Sequence, residues 1–310
     1  MTTIGTTVLG YPRIGPRREL KRAVEQYWAG RIDEPALQEV GRRLRAATWA
    51  ELRDAGLDSV PGNTFSFYDH VLDTAVLFDS LPSRFHALDL SPLDTYFAAA
   101  RGHDQEPPLE LTKWFDTNYH YLVPELGPDT TFRLAGDKPL ADFREARELG
   151  ILTRPVLLGP VTFLLLAKPS MRGFDPLCLL DGLLDAYAEL LTRLHAEGAQ
   201  WVQLDEPAFA ADRTPAELDA LDRAYRTLGG LPTRPQILVT GYYGDLGPAL
   251  PILAATPVEA LGVDLVSAPD TSLAGIPLDD KTVVAGLVDG RNVWRTDLAA
   301  ALEAATSHAR

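Results

Sequence analysis

The sequence is poor in thiols: it has one cysteine, Cys178, in 310 residues. No intrachain disulfide can form, and a reducing, cytoplasmic setting is the simplest reading. The same count rules out a multi-cysteine zinc site within the chain. Long apolar runs are also missing. The most apolar stretch, "PVLLGPVTFLLLA" at 155–167, is broken by Gly159 and Pro160 and is too short to cross a bilayer. The first residues, "MTTIGTTVLGYPR", have no basic n-region and no long apolar h-region, so they do not read as a signal peptide. Positive charge is in deficit, with 29 basic against 43 acidic residues and a formal charge of −14. That balance argues against a general nucleic-acid or anionic-membrane surface. An anionic ligand would have to be met by a local basic patch. The signatures G-x-x-x-x-G-K-[ST], G-x-G-x-x-G, G-x-S-x-G, C-x-x-C and H-E-x-x-H are all absent.

What is present is an alternation of short apolar runs and longer amphipathic segments. Strands are predicted at 6–11, 58–62, 111–115, 154–159, 201–205, 236–242, 261–267 and 282–288. Between them lie helical patterns. One opens at Pro16 and stops at Gly30, one runs through 34–56, and one starts at an Asp175 cap and ends at Gly198. Apolar residues make up 46% of the chain, ample for a large core. The alternation argues for an α/β fold with parallel strands and covering helices, and continuous apolar strands suit a sheet buried on both faces. Polar residues follow several strands, at Tyr11-Pro12-Arg13, Asp205-Glu206-Pro207, Tyr242-Tyr243 and Asp289-Gly290-Arg291. Sites of (β/α)8 barrels are built at those ends, so a single TIM-type barrel domain over 1–310 is the predicted fold. A doubly wound sheet is the alternative.

Four segments carry candidate chemistry. In "GYPRIGPRRELKR", five basic residues crowd into 10–22, where a helix N-terminus adds free N–H groups and a positive dipole end. This is an anion site or a solvated helix face balanced by Glu19 and Glu25. In "ELTKWFDTNYHYLVPE", Lys113 sits among apolar and aromatic neighbours, as a lysine does when paired or at a rim. Asp116, Asn118 and His120 alternate there and would share one face of an extended segment. A metal site is one reading and a hydrogen-bonded polar edge is the better one, since no clear fourth ligand is available. In "WVQLDEPAF", Asp205 and Glu206 point in opposite directions, so only one faces a pocket. That carboxylate is either functional or a loop anchor. In "LVDGRNVWR", Asp289-Gly290 reads as a turn, and Arg291 or Arg295 adds to an anion pocket or makes a surface salt bridge.

These same segments carry a resemblance. "LGYPRIGPRRELKRAVEQYWAG", "FSFYDHVLDTA", "LTKWFDTNYHYLVPE", "RPVLLGPVTFLLLAK", "WVQLDEPA" and "AGLVDGRNVWRTDL" occur in the order of the N-terminal half of cobalamin-independent methionine synthase. The chain is identified as a member of that family over nearly its whole length. The resemblance implies two (β/α)8 barrels, of which this chain supplies the N-terminal one. It implies a methyltransferase that moves a methyl group from 5-methyltetrahydropteroyl-triglutamate to homocysteine. Zinc and the methyl-transfer chemistry would lie in the C-terminal barrel, absent here and met in cis or in trans. The family's tail-binding "RELK" falls on Arg18, Glu19, Leu20 and Lys21, and the lysine of its "TKWF" on Lys113. No catalytic residue and no metal ligand are expected in this chain, and Asp205-Glu206 reads as a relic shared by both barrels. The family pattern continues past "SHAR" into another strand. If "LTKWF" belongs to a hairpin, the barrel here lacks its closing strand and exposes two sheet edges. A free-standing folate-binding or docking module is the alternative function. A third reading is an enzyme using Asp205 or Glu206 on its own phosphorylated or carboxylated substrate.

Overall fold

A computed structural model describes residues 4–308. Among the described residues there are ten strands: β1 (Val60–Gly62), β2 (Leu111–Lys113), β3 (His120–Leu122), β4 (Glu125–Leu126), β5 (Thr153–Leu158), β6 (Lys168–Pro169), β7 (Trp201–Asp205), β8 (Gln236–Thr240), β9 (Ala260–Asp264) and β10 (Thr282–Gly286). Six of them form one curled parallel sheet in the order β1-β5-β7-β8-β9-β10. A parallel bridge from Thr7 to Ser59 adds the N-terminal segment beside β1. Helices fill the crossovers from β1 through β9, while residues 265–281 between β9 and β10 form a loop without a helix. The core lies between sheet and helices. Val202 and Leu204 of β7 and Ile237 and Val239 of β8 are buried with Leu190, Leu194, Leu221 and Leu228 of the helices Leu180–Ala196 and Pro215–Gly229. Each such leucine contributes about 1.5–3 kcal/mol by leaving water.

Local signals explain most elements. The helices α1 (Glu19–Trp28), α2 (Glu34–Asp54) and α3 (His70–Leu77) precede or follow β1. The α2 N-terminus is fixed by Asp33, whose carboxylate accepts from Ala36 N–H at 3.0 Å. Asp175 caps as predicted, although the first turn after it is a 3-10 helix, Pro176–Leu179. Strand assignments at 58–62, 154–159, 201–205, 236–242, 261–267 and 282–288 match β1, β5, β7, β8, β9 and β10 to within a few residues.

Three expectations are corrected. The helix predicted to open at Pro16 opens at Glu19, because Gly15 and Arg18 both adopt left-handed backbone, φ 80° and 61°, and hold 15–18 in a turn closed by Arg18 N–H to Gly15 C=O. The segment at 6–11 makes only the single bridge at Thr7. The segment at 111–115 is not barrel wall. Its residues 111–113 are β2, which pairs antiparallel with β3 as a hairpin outside the main sheet, Lys113 facing His120 in register. Among the described residues β10 pairs with β9 alone, and no strand bridges it to the Thr7 segment.

Candidate binding site at the mouth of the sheet

The curled sheet encloses a cavity of about 1090 Å³, open toward the gap between β10 and the N-terminal segment. Its walls come from both sides of that gap, Ile4–Arg13 and Thr282–Arg291, and from polar residues at the strand ends. A chain of buried hydrogen bonds links lining residues Thr7, Val8, Asp205 and Tyr242 through Arg154 and Gln203. Arg154 on β5 donates to Gln203 Oε1 at 2.9 Å, to Thr7 Oγ1 at 2.9 Å and to Val8 C=O at 3.1 Å. Gln203 donates to Asp205 Oδ1 at 2.6 Å, and Tyr242 donates to Asp205 Oδ2 at 3.1 Å. Burial pushes Arg154 down to about 10, so it stays protonated at neutral pH. The carboxyl group of Asp205 is raised, with burial outweighing the bonds it accepts from Thr240, Gln203 and Tyr242.

Asp205 and Glu206 do point in opposite directions. Asp205 lines the cavity and Glu206 does not. Glu206 is fully buried on the other side, where it accepts from Val161 N–H at 3.2 Å, Thr162 N–H at 2.7 Å and the Tyr225 hydroxyl at 2.9 Å. It caps the short helix Pro160–Leu165. Gly159 is required there, since a Cβ would fall inside the Glu206 carboxyl group. Burial raises Glu206 to about 7 in spite of these three donors. The geometry is that of an anchor.

A second buried cluster sits where "FSFYDHVLDTA" enters α3. Asp69 caps α3, accepting from Leu72 N–H at 2.9 Å, and also accepts from Leu122 N–H of β3 and the Tyr119 hydroxyl, both at 3.1 Å. It thereby ties the hairpin to the helix. Burial lifts Asp69 to about 6. His70 packs edge-on against Trp114, with ring centroids 4.4 Å apart. Burial, helped by Arg13, pushes it down to about 4, so it is neutral at pH 7. Asp73 accepts from Ser66 at 2.7 Å and Tyr96 at 2.8 Å. Apart from the motif that contains them, nothing in the sequence singled out Asp69, Asp73 or Arg154. The one local signal was an aspartate before an apolar helix.

The candidate basic residues fall into two groups. Glu19 and Leu20 are used internally. The Glu19 carboxylate accepts from Arg17 N–H at 2.9 Å, the bond that chiefly holds its pKa below the usual range. Leu20 is buried, and its N–H bonds Ile14 C=O. Arg18 and Lys113 are exposed and, among the described residues, make no ion pair. Lys21 is exposed with a loose 3.7 Å pair to Glu25. Arg13, in the loop before α1, donates to Tyr68 C=O and to the Tyr119 hydroxyl at 3.1 Å. That joins the segment leading to Arg18 with the hairpin carrying Lys113.

The suggested metal triad does not form. Asp116 and Asn118 lie in the turn rather than in an extended segment, and His120 Nδ1 contacts Asn118 C=O at 3.1 Å. Among the described residues no group of three or more His, Cys, Asp or Glu could hold a metal. Cys178, the one cysteine of the sequence, is exposed. The residues present therefore do not fit a catalytic zinc ion. Arg291 takes the salt-bridge option, pairing with Asp116 at 3.1 Å.

A family model described as "Cobalamin-independent synthase, N-terminal domain" matches residues 5–309. The chain belongs to this family, as its N-terminal domain. It is 60% identical over 297 residues to the 5-methyltetrahydropteroyltriglutamate–homocysteine methyltransferase of Rhodococcus jostii (strain RHA1), covering 96% of this chain and 39% of that relative. The enzyme of the same name from Streptomyces coelicolor is 56% identical over 300 residues, again with 39% of its length covered. The chain thus spans well under half the length of these relatives. In fold it is similar to a putative vitamin-B12-independent methionine synthase from Listeria monocytogenes, with TM-score 0.65, 12% identity, and coverage of 99% of this chain and 84% of that one. A B12-independent methionine synthase from Shewanella sp. W3-18-1, solved with selenomethionine, gives TM-score 0.63 at 16% identity, covering 89% and 79%. Among the described residues no helix is long and apolar enough to cross a membrane.

Proposed function

We propose that this domain captures the polyglutamate tail of 5-methyltetrahydropteroyl-triglutamate for a cytoplasmic methyltransferase that makes methionine from homocysteine. The observation that carries this reading is electrostatic. In a chain of charge −14, Arg18 and Lys113 stand exposed without ion-pair partners among the described residues, on two elements joined through Arg13 and Tyr119. Unpaired cations in an acidic protein select a polyanion of matching spacing. Lys21 adds a third charge one turn after Arg18. Within "RELK", Arg18 and Lys21 do the binding, while Glu19 and Leu20 shape the turn and seat the helix.

Zinc and thiol activation belong, on this reading, to the remainder of the longer relatives, reached in cis or as a separate chain. A metal-bound thiolate needs ligands this chain lacks. Residues 1–310 are read as one domain, a (β/α)8 barrel whose eighth strand would lie between β10 and the Thr7 segment. The test of function is the affinity for triglutamyl against monoglutamyl 5-methyltetrahydrofolate. Arg18→Ala with Lys21→Ala is expected to weaken the triglutamyl form by about tenfold or more, since each charge-assisted bond contributes about 1.5–3 kcal/mol at most. An unchanged preference in a folded variant would refute the reading.

A further inference from the structure

The turn between β2 and β3 is held from outside the hairpin, and three separate loops take part. Phe115 in the turn has φ 53°, a left-handed conformation that is uncommon for a bulky aromatic residue. The turn is closed by Thr117 N–H to Trp114 C=O at 3.1 Å. Tyr243, in the loop after β8, is left-handed too, at φ 73°, with its N–H bonded to Asp264 at 2.9 Å. The two strained residues meet: the Phe115 and Tyr243 rings are 6.3 Å apart. From the loop after β10, Arg291 lies over the Tyr243 ring at 4.6 Å and pairs with Asp116 at 3.1 Å. A guanidinium can stack and form an ion pair at once, which an ammonium cannot do as well. Backbone strain at two touching residues persists only where the surroundings over-determine it.

We infer that Arg291, Asp116 and Tyr243 form a clasp that positions Lys113, and that Arg291 is a positioning residue for the polyanionic tail rather than a ligand of it. This rests on the reading that Lys113 binds that tail. Lys113 is three residues from Asp116 on a three-residue strand, so the turn sets where its side chain reaches. The bridge also keeps the Asp116 carboxylate neutralised beside an anion site.

The test is calorimetric titration with γ-linked triglutamate and with glutamate. Wild type should prefer triglutamate, and Lys113→Ala should lose most of that preference. Arg291→Ala and Asp116→Asn should each weaken triglutamate by about fivefold, while the double variant Arg291→Ala/Lys113→Ala should bind no worse than Lys113→Ala alone. All three positions are exposed, Lys113 on β2 and the other two in loops, and unchanged melting would certify the fold. Additive losses would make Arg291 a direct ligand and overturn the inference. A gain on Asp116→Asn would make Asp116 a repellent charge and overturn it also. If wild type prefers triglutamate and Arg291→Ala keeps that preference, the clasp fails while the tail reading stands. If wild type shows no preference, both fail.

Discussion

β7 and β10 are five-residue parallel strands of the same sheet, yet four residues of β7 are buried and none of β10 is fully so. Composition does not explain this, because "TVVAG" is no less apolar than "WVQLD". Neighbours do. β7 has β5 and β8 on its two edges, whereas β10 has β9 on one edge and the open cavity on the other. Beyond it, Val293 and Trp294 are 92% and 79% exposed. Exposure here is a property of the missing neighbour rather than of the strand itself. An uncovered edge of this kind is a template for further pairing.

The largest effect expected from this contrast is at Arg154. Arg154→Ala leaves a cavity and orphans Gln203 and the Val8 carbonyl, at a cost of about 3–5 kcal/mol in urea unfolding. Val283→Ala on β10 should cost about 1 kcal/mol or less. Equal losses would break the comparison. A pH series comes next. Glu206 has its folded pKa raised to about 7, above the ordinary value for glutamate, so its stabilising contribution is full below about 4.5 and is lost as pH rises through 7. At about 1.4 kcal/mol per pKa unit, wild type should lose up to about 3 kcal/mol between pH 4.5 and 8, with Asp69 acting in the same direction. Glu206→Gln should flatten that slope. Carboxylates held low, such as Asp58 and Glu197, titrate beneath this window.

A sharper version of the comparison supplies the missing neighbour. Extending the chain by the segment that follows in a full-length relative should slow amide exchange of β10 at least about tenfold and leave β7 unchanged, because only β10 gains a partner. Unaltered β10 exchange would mean that the gap is not a strand slot. The smallest effect is at the exposed Lys21–Glu25 pair, where Glu25→Ala should change stability by less than about 0.5 kcal/mol.

Strand–helix alternation was legible in the sequence because the buried strands are short and mostly apolar, and α2 and the helix after Asp175 carry their own caps. The two turns of Asp205 and Glu206 followed from the strand period alone. The α1 start was misplaced because Pro16 favours a helix opening locally, while Arg18 in left-handed backbone delays it, and nothing at that position signals the conformation. The candidate ligands at Arg18, Lys21 and Lys113 came from a motif, and the helical spacing of Leu20, Val24 and Tyr27 already marked an inward stripe, but the turn that Glu19 holds through Arg17 N–H left no trace in the sequence. Arg154 and the Arg291–Asp116 pair were invisible because their partners lie far along the chain, 175 residues away for Asp116.

The same long reach gives Arg154 a part in the timing of folding. Its bond to Thr7 joins residues 147 apart. A ribosome adding about 5–20 residues per second needs roughly seven to thirty seconds to pass from one to the other. Through that interval the N-terminal segment is held only by its earlier contacts, the bridge from Thr7 to Ser59 and the bond from Thr6 N–H to Asp58. The segment is therefore seated in two stages, first beside β1 and then, once β5 is out, against Arg154.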